Sequence, residues 1–81
     1  MNIAVEVERF IVGEIAAGRG IESVTHDSDL LANGIIDSLG ITELISFLEG
    51  KYAIKVDDDD IDAENFSSVA RIVAFVERKE A

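Results

Sequence analysis

The chain has 81 residues, 48% of them apolar, with 17 Asp and Glu against 7 Lys and Arg and a formal net charge of −10. That length supports one small domain, residues 1–81, which buries about 60–65% of the surface its unfolded chain exposes and leaves little room for a deep catalytic cleft. Cysteine is absent, which excludes disulfides and thiolate metal sites, and so acidic a surface repels nucleic acid and anionic membranes while attracting a basic protein face.

Proline is absent too, and the apolar fraction favours helices joined by glycine and polar turns. In "MNIAVEVERF" acids stand where a signal peptide carries bases. No apolar run approaches the ~20 residues a bilayer span needs, so the chain reads as soluble and cytoplasmic, without membrane insertion. Ile3, Val7, Phe10, Ile11 and Ile15 recur at steps of three and four, which predicts a first helix over roughly residues 3–16. Asn2 is suited to cap its start, and Gly18 and Gly20 to stop it.

A long connection follows, "IESVTHDSDLLANGII". Its apolar residues (Ile21, Val24, Leu30, Leu31, Ile35 and Ile36) lack sustained periodicity and read as anchors pinning a loop over the core. "HDSDLL" is expected to form a helical turn capped by Asp27 or Ser28. Gly34 suits a turn with positive φ.

Asp37 is a favourable N-cap for a second helix, in which Ile41, Leu44, Ile45, Leu48 and Tyr52 form one stripe about 100° wide. Gly50 is expected to weaken its last turn. Next, "KVDDDDIDAENFSS" carries Asp57, Asp58, Asp59, Asp60, Asp62 and Glu64, with a short helical turn anchored at Ile61 and Phe66. Ser67 is placed to cap a last helix carrying Val69, Ile72, Val73 and Val76. Arg78 and Lys79 lie near its C-terminus, where cations are favoured. The expected fold is all-α: a small four-helix bundle of three longer helices and one short, with a long first loop.

Three groups of residues invite a functional reading. The acidic run does not fit a calcium loop: counted from Asp57, the positions needing Gly and Glu hold Asp62 and Ser68, so a solvated loop with an electrostatic role is expected and no metal. His26 has Asp27 and Ser28 as neighbours, but no oxyanion-hole motif accompanies them, and a surface histidine is the plainer reading. At "GIIDSLG", Ser38 opens the second helix with small residues on both sides, and Leu39 falls about 180° from the stripe centre. A helix N-terminus favours an attached or docked anion. A serine positioned for modification by a phosphate-containing group and a plain Asp37–Ser38 capping pair both fit these residues.

"GIIDSLGITELISFLEGKYAIKV", built on Asp37-Ser38-Leu39, resembles the acyl carrier protein family, whose Asp-Ser-Leu motif carries 4′-phosphopantetheine. The likeness extends over most of the chain, with the helices in the family's order. It implies that Ser38, flanked by Asp37 and Leu39, takes the arm covalently from coenzyme A through a phosphopantetheinyl transferase, and that the arm's thiol then holds acyl intermediates as thioesters. It implies no catalysis by the chain itself, which would act as a monomeric handle for an acyl- or aminoacyl-activating ligase and downstream synthases with basic docking surfaces. Many fatty-acid carriers have an acid just after the motif and more acids along the second helix. Here Gly40 follows Leu39, and that helix carries only Glu43 and Glu49. Partner recognition is therefore expected at Leu39, Gly40, Glu43 and Phe47, with Asp57, Asp58, Asp59 and Asp60 adding long-range attraction and Phe47 also suited to core packing. These departures are similar to aminoacyl carriers and point to a specialised pathway, with acyl or aminoacyl cargo. The alternative from another class is an acidic helical binding module without an arm. Ile45, Leu48, Ile61, Phe66, Val69 and Ile72 could line a space for a long acyl chain, but close packing is expected to fill it.

Overall fold

The computed structural model describes residues 2–16 and 24–80; Gly18, Gly20 and Ile21 lie outside them. Helix α1 (Ile3–Phe10) starts at Asn2, whose side-chain oxygen accepts the Val5 amide at 3.3 Å, as the sequence predicts. It does not continue regularly to residue 16. The chain widens into a π-helical turn, Ile11–Ile15, in which the Ala16 amide donates to the Ile11 carbonyl at 2.8 Å. In a regular helix Ala16 would stand about 140° round from Ile11. The i→i+5 bond brings the two nearer to one face, and both are buried.

Residues 24–37 pin the first loop across the bundle. Val24, Leu30 and Ile36 are buried, as anchors should be, while Leu31 and Ile35 pack at the core's margin. Asp29, rather than Asp27 or Ser28, organises the turn: its Oδ1 accepts the Leu31 and Ala32 amides at 3.1 and 2.8 Å. Asp29 precedes the turn directly, so its carboxylate reaches amides that Asp27 and Ser28 stand too far back to cap. The Leu30 amide donates to the Ser67 carbonyl at 2.7 Å and the Ala70 amide to the His26 carbonyl at 3.0 Å. Gly34 has φ +70°, the conformation its lack of a Cβ permits.

Helix α2 (Ser38–Tyr52) buries Leu44 and Leu48 at the centre of its stripe, with Ile41, Ile45 and Tyr52 half-buried beside them. Gly50 does not interrupt it. The helix ends at Ala53, which takes the left-handed conformation at φ 55°. A 3₁₀ turn (Asp58–Asp60) and helix α3 (Ala63–Phe66) follow. Asp62 caps α3 by accepting the Asn65 amide at 3.0 Å. Phe66 is fully buried, but Ile61 is 40% exposed and anchors nothing. Ile61 precedes the cap of α3, so it shares no helical face with Phe66.

Helix α4 (Val69–Glu80) is capped by Ser68, whose Oγ accepts the Arg71 amide at 3.2 Å. Ser67 lies one residue too early, and its carbonyl is held by Leu30. The buried face of α4 is Val69, Ile72, Phe75 and Val76, with Val73 at its edge. Phe75 packs on Phe66 with ring centroids 5.3 Å apart. Helix α4 is the hub: α1, α2 and α3 all pack against it, and α2 also meets the π-helical turn. The architecture is the expected all-helical bundle, with no strand among the described residues.

Candidate functional site

Ser38 is the first residue of α2, directly after its cap. The Asp37 Oδ1 accepts the Gly40 amide at 2.8 Å, which sets where the helix begins. Ser38 is exposed, and among the described residues its hydroxyl has no hydrogen-bond partner. Its carbonyl accepts from the Thr42 hydroxyl at 3.2 Å, tying the first turn together. Leu39 is 68% exposed, as its place on the helical wheel predicts.

Gly40 departs from expectation. It is buried, and a Cβ built on it would lie 2.9 Å from Cγ2 of Ile15 and 3.3 Å from Cγ2 of Ile36. The position faces into the bundle, so it cannot serve as a partner contact. One signal was available: glycine is a poor helix former, and its use in a first turn needs a packing reason.

Glu43 is exposed one turn beyond Leu39. Phe47 is half-buried and stacks on Phe10 at 4.3 Å with 13° between the rings; Tyr52 meets it edge-on at 6.3 Å. Phe10, Glu14, Glu43 and Phe47 line an open groove of about 510 Å³ together with Thr42 and Ser46. Phe47 therefore joins α1 to α2 and also lines the groove beside Glu43. Nothing in the local sequence pairs it with Phe10, which lies 37 residues earlier.

The acidic run is partly neutralised. Lys79 Nζ lies 2.7 Å from Asp60 and 3.4 Å from Asp57, and the Asp57 amide donates to Asp60 at 3.0 Å. The Lys79 contact, helped by that amide, holds the Asp60 carboxyl below its ordinary pKa, and Asp60 in turn raises Lys79. Asp58 and Asp59 stay exposed. Among the described residues no group of three or more His, Cys, Asp or Glu could hold a metal. His26 is a surface residue 3.4 Å from Glu8, and the Ser28 hydroxyl is 2.6 Å from Thr25 rather than paired with His26.

Residues 12–76 match the family model described as a phosphopantetheine attachment site. The chain belongs to the acyl carrier protein family. The acyl carrier protein of Chlamydia trachomatis (serovar D) is 31% identical over 80 residues, 99% of each chain. The D-alanyl carrier protein of Streptococcus pyogenes (serotype M5) is 41% identical over 51 residues, 63% of this chain and 65% of that one. Among solved structures, a chain in the crystal structure of an FAD-dependent dehydrogenase aligns with a TM-score of 0.77 and 27% identity, covering 86% of this chain and 97% of that one.

Members of this family carry 4′-phosphopantetheine covalently and are carriers rather than catalysts. The residues present fit such a group. An exposed hydroxyl, without a hydrogen-bond partner among the described residues, stands at a helix N-terminus, where a phosphodiester's negative charge is favoured. When bound, the arm supplies a thiol on which an acyl group is held as a thioester. Asp37 fixes the helix start, and Leu39 offers an apolar contact next to the serine. No helix among the described residues is long and apolar enough to cross a membrane.

Proposed function

We propose that Ser38 is the attachment residue and that the chain carries acyl intermediates as thioesters in a specialised biosynthetic pathway. The observation that carries this is the Ser38 hydroxyl, exposed and without a partner among the described residues, at the start of α2 within the matched segment. In loading, the serine oxygen bonds to the phosphorus of coenzyme A. The phosphoanhydride bond to the nucleotide breaks, and a base of the transferase takes the hydroxyl proton. The chain then serves as address and tether, raising the effective concentration of its cargo at each docked enzyme.

An acyl- or aminoacyl-activating ligase and later synthases are the partners. They meet Leu39, Glu43 and the half-buried Phe47 through basic surfaces drawn by Asp58 and Asp59. The work takes place in the cytoplasm on a monomer. Leu48, Phe66, Val69 and Ile72 are fully buried against one another's helices, which favours cargo held outside the core over a long sequestered chain.

Aminoacyl cargo is the second reading. The 41% identity to a D-alanyl carrier and the absence of an acid after Leu39 favour it. The likeness to a chain in the crystal structure of an FAD-dependent dehydrogenase favours a flavin-linked oxidation of tethered cargo among the downstream reactions.

Apo protein incubated with coenzyme A, Mg²⁺ and a promiscuous phosphopantetheinyl transferase is expected to gain the mass of one arm, and Ser38→Ala to gain none. An unmodified wild type would leave the acidic binding module as the function. The intact mass of protein from its native host, with its thioester in place, distinguishes acyl from aminoacyl cargo.

A further inference from the structure

We infer that Gly40 is a positioning residue for Ser38: the π-helical turn bears directly on the Gly40 backbone, and this contact sets the direction in which α2 presents its first residue. The inference rests on the reading of Ser38 as the attachment residue. A Cβ on Gly40 would stand 2.9 Å from Ile15 Cγ2, 3.3 Å from Ile36 Cγ2 and 3.4 Å from Asp37 Oδ1. The two methyls are not loose side-chain ends. Each is borne on the Cβ of a β-branched residue, so its place follows from the backbone and one stiff torsion.

The backbones behind those methyls are themselves held. Ile15 closes the π-helical turn just before Ala16, whose amide makes the i→i+5 bond to Ile11. Ile36 is buried, and its amide donates to the Leu30 carbonyl at 3.1 Å. On the remaining side, Asp37 accepts the Gly40 amide at 2.8 Å. Three side chains from two segments, the π-helical turn and the stretch just before α2, thus converge on one residue without a side chain, two positions after Ser38. Farther along α2, Leu44 and Leu48 are fixed in the core. A side chain at position 40 would therefore tilt the start of the helix, the part that carries Ser38.

Gly50 supplies the contrast. It lies in the same helix, and a Cβ built on it meets nothing within 4 Å. Loss of glycine's backbone freedom is common to both positions, whereas the steric contact is peculiar to Gly40.

The test follows arm addition by intact mass at several carrier concentrations, using apo protein, coenzyme A, Mg²⁺ and a promiscuous phosphopantetheinyl transferase. Gly40→Ala is expected to lower kcat by about tenfold or more, because a displacement near 1 Å can cost about 100-fold. KM should stay within about twofold, since Leu39 and Glu43 remain exposed. Adding Ile15→Ala, which removes Cγ2, is expected to recover most of the loss, and Gly50→Ala to behave as wild type. In ¹H–¹⁵N spectra of the apo proteins, the Ser38 and Leu39 amide resonances should move in Gly40→Ala and return in the double variant. Gly40→Ala modified at the wild-type rate overturns the inference, as does a folded double variant with no recovery. If Gly40→Ala does not fold, the double variant decides: folded and modified supports the contact, unfolded overturns it. A wild type that accepts no arm overturns the reading of Ser38 instead, and the amide shifts still report on the contact.

Discussion

The hydroxyl of Tyr52, the last residue of α2, donates a 2.6 Å hydrogen bond to Oε1 of Glu6 in α1. Lys51 Nζ lies 3.3 Å from the other carboxylate oxygen, so both oxygens of Glu6 are engaged. The pair fastens α1 to the end of α2 farthest from Ser38, while Ile15 and Gly40 hold the near end. Burial, reinforced by Glu6, raises the Tyr52 pKa, and the Tyr52 hydrogen bond is the main cause of the lowered Glu6 value.

Tyr52→Phe should therefore lower the thermal midpoint at neutral pH, and the deficit should depend on pH in a defined way. The Glu6 contribution is whole above the ordinary carboxylate pKa of about 4.3 and is lost as pH falls through its lowered value. The Tyr52 contribution is whole below about 10 and is lost as pH rises toward its raised value. Wild type and variant should differ most near pH 7 and converge at both extremes in melts followed by circular dichroism. A deficit unchanged from pH 3 to 7 would show that the hydroxyl acts through packing.

Lys79 makes a second long-range tie, to Asp60 and Asp57. Lys79→Met is expected to cause a small fall in the midpoint, shrinking in high salt because both sides are partly exposed. Asp60 is lowered, so its share is present above about pH 4 and lost below; Lys79 is raised, so its share persists until pH exceeds about 10.4. The freed carboxylates should also steepen the salt dependence of association with a basic partner, measured by stopped-flow.

Two single changes near the end of α2 test the backbone rather than any contact. Gly50→Ala should stabilise by about 0.5–1 kcal/mol, since an added methyl meets open space and removes unfolded-state freedom. Ala53→Gly should stabilise by about 1 kcal/mol by relieving the left-handed conformation at φ 55°. Equilibrium urea unfolding measures both, and the two should add if they act independently.

These contrasts show which features the sequence could and could not disclose. Asn2 and Asp37 were legible as caps because each acts on an amide three residues away. The α2 stripe was legible because it depends only on helical period. Ser67 and Ser68 are equally suited to cap α4, and the choice is made by Leu30, which takes the Ser67 carbonyl from another part of the chain. Phe75 escaped notice because it stands at the margin of the α4 stripe, and only Phe66 packing against it closes the core there. The role of Gly40 depends on Ile15, and Ile15 reaches it through a widened turn that no local pattern announces.

Leu39→Ala separates surface from core within the site. Leu39 is 68% exposed, so its loss should leave stability within about 0.5 kcal/mol of wild type. Its effect should appear as a raised KM for arm addition with kcat little changed, the reverse of the pattern expected for Gly40→Ala. Steady-state kinetics over a range of carrier concentrations reads both. An unchanged KM would move apolar recognition away from Leu39 and toward Phe47.

Phe66 and Ile61 differ in a way their shared apolar character conceals. Phe66 is fully buried against Phe75, whereas Ile61 is 40% exposed. Phe66→Ala should cost about 3–5 kcal/mol, combining lost transfer energy with the cavity left behind. Domains of this kind are stable by only about 5–15 kcal/mol in total, so the variant would stand near the edge of folding. Ile61→Ala should cost under about 1 kcal/mol. Because α3 reaches the rest of the bundle chiefly through α4, Phe66→Ala should free α3 before the α1–α4 pair opens. Amide exchange would then quicken first in residues 62–67, ahead of α2 and α4. Uniform exchange across the chain would instead mean that the four helices open as one unit.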